Sequence, residues 1–200
     1  MHPAGAFHDT DIERIAALVA ERGLALIFAL GEDGPLAAHV PVLLAADRLR
    51  FHLSANNRLC GPLAAGAKAL VVVTGADAYV SPDWYAAADQ VPTWNYVSAE
   101  LEGPVRVLDH VETTALLDDL AAHFEARLAP KPPWTRAKMN PARFEAMLGG
   151  IVAYEMRLER VAGAAKLSQN KPAHEIARVA ARLAELDDPG ARVIAGLMTR

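Results

Sequence analysis

LALIFALGEDGPLAAHVPVLLAADRLRFHLS, residues 24–54, is the stretch on which the fold class turns. The run 24–30 is continuously apolar, long enough for a buried strand and too short for a core helix. Gly31-Glu32-Asp33-Gly34 follows, and Asp-Gly between apolar runs is a hairpin signal. Residues 36–44 form the return strand. Ala46-Asp47-Arg48 makes a second turn. Over 49–54, Leu49, Phe51 and Leu53 alternate with Arg50 and His52, the period-2 pattern of a strand with one buried face. Three strands on short turns specify an antiparallel meander, because parallel strands need long crossovers.

Working outward, Ile12, Ile15, Ala16 and Val19 recur at helical spacing, with Thr10 as the expected cap, Glu13 completing a capping box, and Gly23 as the stop. Beyond the meander, a short helix is expected over 57–65. A buried strand is expected over 69–73, with 78–80 as its continuation, and a long strand over 93–107, bulged near Gly103-Pro104. Asp109 and Glu112 open a helix carrying Leu116, Leu117, Leu120 and Phe124. Asn140-Pro141 opens another, since Asn caps and Pro suits the first helical position. The last strong strand spans 151–158, and Lys171-Pro172 starts a final helix through Leu186. About six strands in hairpins, with an N-terminal helix, inserted helices and a C-terminal helix, give a mainly β protein. A closed or split barrel disposes most economically of its sheet edges. The expected organisation is one domain, with a barrel over 1–165 and a loop-and-helix extension over 166–200.

Composition narrows the function. The chain has 200 residues, 52% hydrophobic and 22% charged, which excludes a disordered chain. No apolar run reaches the ~18 residues of a membrane span. The start, Met1 to Gly5, shows no secretory leader. A single cysteine, Cys60, excludes an internal disulfide and a cysteine-rich metal cluster, so a cytoplasmic setting is expected. Net charge is −4, against the basic excess of a general nucleic-acid binder. The chain has no dinucleotide-binding glycine fingerprint, no phosphate-binding loop of the Walker type and no nucleophile elbow. The seven histidines fall at no paired-ligand spacing, and only His39 and His52 sit where neighbouring strands could bring them together.

Four segments break the apolar pattern. Ala38-His39-Val40-Pro41 puts a proline inside a strand, which fits a barrel rim and equally a backbone left open to a ligand. His52-Leu53-Ser54-Ala55-Asn56-Asn57-Arg58 ends a strand in donors where a helix should begin. Taken alone, plain capping is the commoner use of such residues, and anion binding is the alternative. From Tyr79 to Tyr96 the chain holds two of its three tryptophans and three of its four tyrosines. That density suits a planar ligand, a subunit interface or an aromatic minicore under a loop. Lys166-Leu167-Ser168-Gln169-Asn170-Lys171 is a capped solvated loop or a donor cluster reaching a ligand across a dimer interface.

In these segments the chain resembles the PaiB-type family of FMN-binding proteins, within the split-barrel flavin superfamily that includes pyridoxamine-phosphate oxidase. The pieces that carry the likeness are His39-Val40-Pro41, Phe51-His52-Leu53 through Asn56, Ala78-Tyr79-Val80-Ser81-Pro82-Asp83-Trp84-Tyr85, Val91-Pro92-Thr93-Trp94-Asn95-Tyr96 and Lys166-Leu167-Ser168-Gln169-Asn170. The resemblance implies a homodimeric FMN-binding split β-barrel with two FMN sites at its interface. It places the phosphate at Ser54, Asn56, Asn57 and Arg58, with the flavin ring edge along His39 to Pro41 and His52 on the matching strand. Trp94, Asn95, Tyr96, Lys166, Ser168 and Gln169 would complete the site from the same or the partner subunit. Lys166 would stand near the flavin N1/O2 edge. The family also carries the label of negative transcriptional regulator. DNA binding has little support in this chain, whose residues 166–200 hold six Lys/Arg against four Asp/Glu. A flavin-dependent oxidoreductase is the alternative, and the same groove holding haem, a deazaflavin or nothing is the third reading. No membrane partner is implied.

Overall fold

The computed structural model describes residues 4–200, so the leader reading at Met1 to Pro3 lies outside the described residues. Eight strands and six α-helices follow in the order β1 (His8–Asp9), α1 (Ile12–Arg22), β2 (Leu24–Gly31), β3 (Gly34–Ala45), β4 (Arg48–Ser54), α2 (Cys60–Ala64), β5 (Lys68–Val80), β6 (Thr93–Val107), α3 (His110–Glu125), α4 (Pro141–Leu148), β7 (Ile151–Arg157), β8 (Arg160–Lys166), α5 (Ala173–Glu185) and α6 (Pro189–Met198). The strands are ordered β1-β8-β6-β5-β2-β3-β4-β7, with β6 also pairing β7, so the hydrogen bonding of β6-β5-β2-β3-β4-β7 returns on itself. The meander is as the sequence reads. Leu24 pairs Pro41, Gly31 pairs Gly34, and Ala45 pairs Arg48 across the second turn.

Where the structure departs from the sequence reading, the reasons are local. The α1 cap is Asp11, not Thr10. Its carboxylate accepts the N–H groups of Glu13 (3.0 Å) and Arg14 (3.1 Å), which a carboxylate does at least as well as a hydroxyl. Gly23 closes the helix as expected, left-handed at φ 63°. The short helix begins at Cys60, because Asn57 Oδ1 takes the Leu59 N–H at 3.0 Å and turns the chain before helical bonding starts. The two pieces at 69–73 and 78–80 are one strand. Ala69, Val71 and Val73 are buried, then Ala78 and Val80, so the alternation slips by one residue. Gly75 lies at the slip, where a Cβ would stand 2.4 Å from the Val97 side chain. β8 was missed because Arg-Val-Ala-Gly-Ala-Ala-Lys has little β-branched character. α6 was missed although Asp188 caps it through Gly190 N–H at 2.8 Å, with Pro189 following.

The chain divides into two units. One comprises Val19–Val72 and Leu101–Val161. Phe51 stacks on Tyr154 there, with centroids 5.4 Å apart, and α3 packs Leu116 and Leu120 on Leu108 and Ala153. The Asp109 capping box of α3 is present as read. The other comprises Met1–Leu18, Val73–Glu100 and Ala162–Arg200. Its core joins Ala78, Val80 and Tyr85 to Val179 and Leu183 of α5 and Ile194 of α6.

Candidate functional site

In the first unit, β3 changes partner at Pro41. Residues 34–41 pair with β2, and only 42–45 pair with β4. β4 in turn pairs with β3 over 48–51, while His52, Leu53 and Ser54 pair with β7 alone. The two strands therefore fork. His39 and Pro41 lie on one arm, and His52 and Ser54 lie on the other. Proline suits this position because its missing N–H costs nothing on a side where no ladder is made.

The His52 ring belongs to the strand face opposite Phe51 and Leu53. Its Nδ1 is buried without a hydrogen-bond partner among the described residues, and burial lowers its pKa, so the ring is held neutral at neutral pH. A buried ring nitrogen normally has a partner, so this one is poised to receive one. At the tip of the same arm, Ser54 and Asn56 are exposed. The Asn57 oxygen is engaged by Leu59 N–H. Arg58 is exposed and lines a cavity of about 800 Å³ whose lining also includes Glu32 and Asp33. Residues 52–58 contain a hydroxyl, two amides and a guanidinium, and no carboxylate. That donor set is what a phosphate requires. A one-turn helix contributes little dipole, so the side chains, rather than the helix start, make the group anion-compatible. The orphaned imidazole nitrogen and the acid-free donor run fit FMN.

In the second unit the remaining expected residues divide. Trp94 is 54% exposed and meets Tyr79 edge to face, with centroids 6.0 Å apart. Tyr96 is half-buried. Lys166 donates to Thr93 Oγ1 and lies 6.0 Å from the Phe7 ring centroid, and burial pulls its pKa below the usual lysine value. The others face inward. Asn95 is 0% exposed, and its Nδ2 donates to Ser168 Oγ at 3.1 Å. Ser168 is buried and left-handed at φ 61°, with its hydroxyl 3.3 Å from that of Tyr85. Gln169 ties down its own turn, accepting Leu167 N–H at 2.7 Å and donating to Ala165 O at 2.5 Å.

Sequence reasoning missed Glu175. It is 3% exposed and accepts the N–H groups of Ala86 (2.8 Å) and Ala87 (2.9 Å), which hold its carboxyl below the ordinary range. An acidic residue in the first turn of a helix is ordinarily read as dipole complement, and nothing local shows that this one reaches a loop nearly ninety positions earlier in the chain. Lys171 continues the same bracing, donating to Gln90 Oε1 at 2.6 Å.

Residues 1–160 match the family described as "Putative FMN-binding domain". Among curated proteins, the chain is 27% identical over 196 residues to the protease synthase and sporulation protein PAI 2 of Bacillus subtilis, covering 96% of this chain and 93% of that one. Among solved structures it is similar to an FAD and heme binding protein of Mycobacterium smegmatis, at TM-score 0.62 and 24% identity, over 85% of this chain and 78% of that one. It is also similar to the flavocytochrome Anf3 of Azotobacter vinelandii, at TM-score 0.62 and 15% identity, over 82% and 72%. These two likenesses establish the fold. The chain therefore belongs to the FMN-binding domain family, as a split-barrel protein similar to PAI 2 whose cofactor, by that membership, is FMN.

Proposed function

We propose that FMN is held at the fork between β3 and β4. The observation that carries this reading is the orphaned His52 Nδ1 on the same arm as the acid-free donor run 52–58. Ser54, Asn56, the Asn57 amide group and Arg58 take the phosphate. His39 to Pro41 present the strand edge that runs along the ring. Bound FMN supplies a ring that can accept and release electrons. His52 stays neutral and offers its ring nitrogen as a hydrogen-bond partner. Lys166, whose proton burial makes easier to lose, places a cation or a neutral donor at the flavin's N1/O2 edge in the assembled protein.

The assembled protein is proposed to be a homodimer, as the family resemblance implies. The exposed Tyr79–Trp94 pair supports this, since paired exposed aromatics are costly to leave in water and are enriched at interfaces. Asn95, Ser168 and Gln169 act in this reading as braces that hold the segments carrying Trp94, Tyr96 and Lys166. A regulatory role, the label that the family resemblance carries, is proposed through contact with DNA or another protein, in the cytoplasm.

Titrating apo protein with FMN, following quenching of ring fluorescence, tests the central claim. Saturation at micromolar FMN is expected, and no saturation removes it. Lys166→Ala should shift the flavin potential, and an unchanged potential removes that role. DNA retention that falls steeply with salt supports the regulatory reading, and no retention at low salt overturns the DNA arm.

A further inference from the structure

A feature that the flavin reading leaves unused is a cavity of about 740 Å³ between α3, α4 and the strap 131–139. This is within the size range of sites that hold small organic ligands. Ala121 and Ala122 of α3 form its floor, and Trp134 and Phe144 stand as walls. Apolar surfaces this close normally collapse together. Here polar struts keep the strap standing off. Arg136 bonds Asp118 of α3 through Nε (3.1 Å) and Nη2 (2.9 Å), with its guanidinium 5.0 Å from the Phe144 ring centroid. Glu125 Oε2 accepts Trp134 N–H at 2.8 Å and also the ammonium of Lys131. Lys138 Nζ donates to Pro133 O at 2.7 Å. Trp134 is thus fixed through its backbone while the residue stays 39% exposed.

The charges of the lining select the occupant. Two carboxylates, Asp118 and Glu145, face one guanidinium, that of Arg136. Arg136 is already matched by Asp118. Glu145 uses Oε2 toward His110 Nε2 at 2.7 Å, and among the described residues its Oε1 has no hydrogen-bond partner. The balance is negative, beside the face of an indole, and an indole attracts cations. We infer that this cavity is a binding site for a small organic cation with a flat apolar body, an aromatic amine whose ring lies on Ala121 and Ala122 between Trp134 and Phe144 and whose ammonium meets Glu145.

Calorimetric titration of the full chain with 2-phenylethylamine tests this, with 3-phenylpropanoate as a probe of similar size and opposite charge. Saturable binding of the amine is expected, at least about tenfold tighter than that of the acid. Ala122→Trp should abolish it by filling the floor. Ala122 is exposed, so the variant keeps its core, and an unchanged melting temperature confirms this. Glu145→Gln should weaken the amine about fivefold, a loss typical of one exposed charge contact. Equal binding of both probes, wild-type affinity in Ala122→Trp, or no saturable heat with the amine each overturns the proposal. FMN affinity, measured in parallel, should stay unchanged in both variants, so a failure of the flavin reading is scored separately.

Discussion

Residues 54–58 and 166–171 carry the same kinds of side chain, hydroxyl, amide and cation, and the fold uses them in opposite ways. In 166–171, Ser168 is buried against Asn95 and Tyr85, Gln169 is closed on its own turn, and Lys171 reaches Gln90. In 54–58, Ser54, Asn56 and Arg58 are exposed, and one side-chain oxygen, that of Asn57, is drawn into a turn. A polar motif in sequence is therefore a statement about donors and not about who receives them. Burial decides which run is engaged within the protein and which is left exposed.

The sharpest way to break this contrast is Asn95→Leu. It removes one of the two buried partners of Ser168, leaving the Tyr85 hydroxyl, and should cost up to about 3 kcal/mol, the upper end of the range for breaking a buried hydrogen-bonded network. For a chain of this length that lowers the melting temperature by roughly 6–12 °C. A melting temperature within a degree of wild type would show that the brace is incidental. Arg58→Ala and Ser54→Ala should do the reverse. Each is expected to weaken FMN about tenfold, near 1.4 kcal/mol, with the apo melting temperature unmoved. A loss of stability there without a loss of affinity would exchange the two roles.

Glu175 gives a pH test of the braced region. Its folded pKa is depressed by the Ala86 and Ala87 N–H groups, so its contribution is complete above the unfolded value, about 4.3, and is lost as pH falls through the lower folded value. Glu175→Gln should be less stable than wild type at pH 7, and the gap should close below about pH 4. A gap independent of pH would rule out the carboxylate as the cause. The smallest effect belongs to Gln169→Ala. Its two bonds are local and exposed, so a loss of about 0.5–1 kcal/mol is expected in denaturant titration.

The meander was legible because Leu49, Phe51 and Leu53 alternate without interruption and the turns are short. β5 was legible only in pieces, since its alternation slips at Gly75, and a period-2 reading ends wherever the phase changes. β8 lacked propensity and is a strand through its neighbours, with Ala164 opposite His8 and Gly163 opposite Asp9. The proposed site was open in the residues alone and was named by the family resemblance. His39, Pro41, His52 and Ser54 stand out by chemistry, but the fork that puts them on facing arms depends on where two ladders stop.

Local periodicity, turn residues and caps set the identity of the meander and of α1, α3, α4 and α5, because these signals act within a few residues along the chain; the family resemblance then named the polar and aromatic groups that could meet a flavin. Which of those groups are buried was decided by tertiary structure. Asn95 and Ser168 lie 73 positions apart, and the Glu175 contacts with Ala86 and Ala87 span 89 and 88. Contacts at such separations are settled by packing, and packing leaves no local signal at either end.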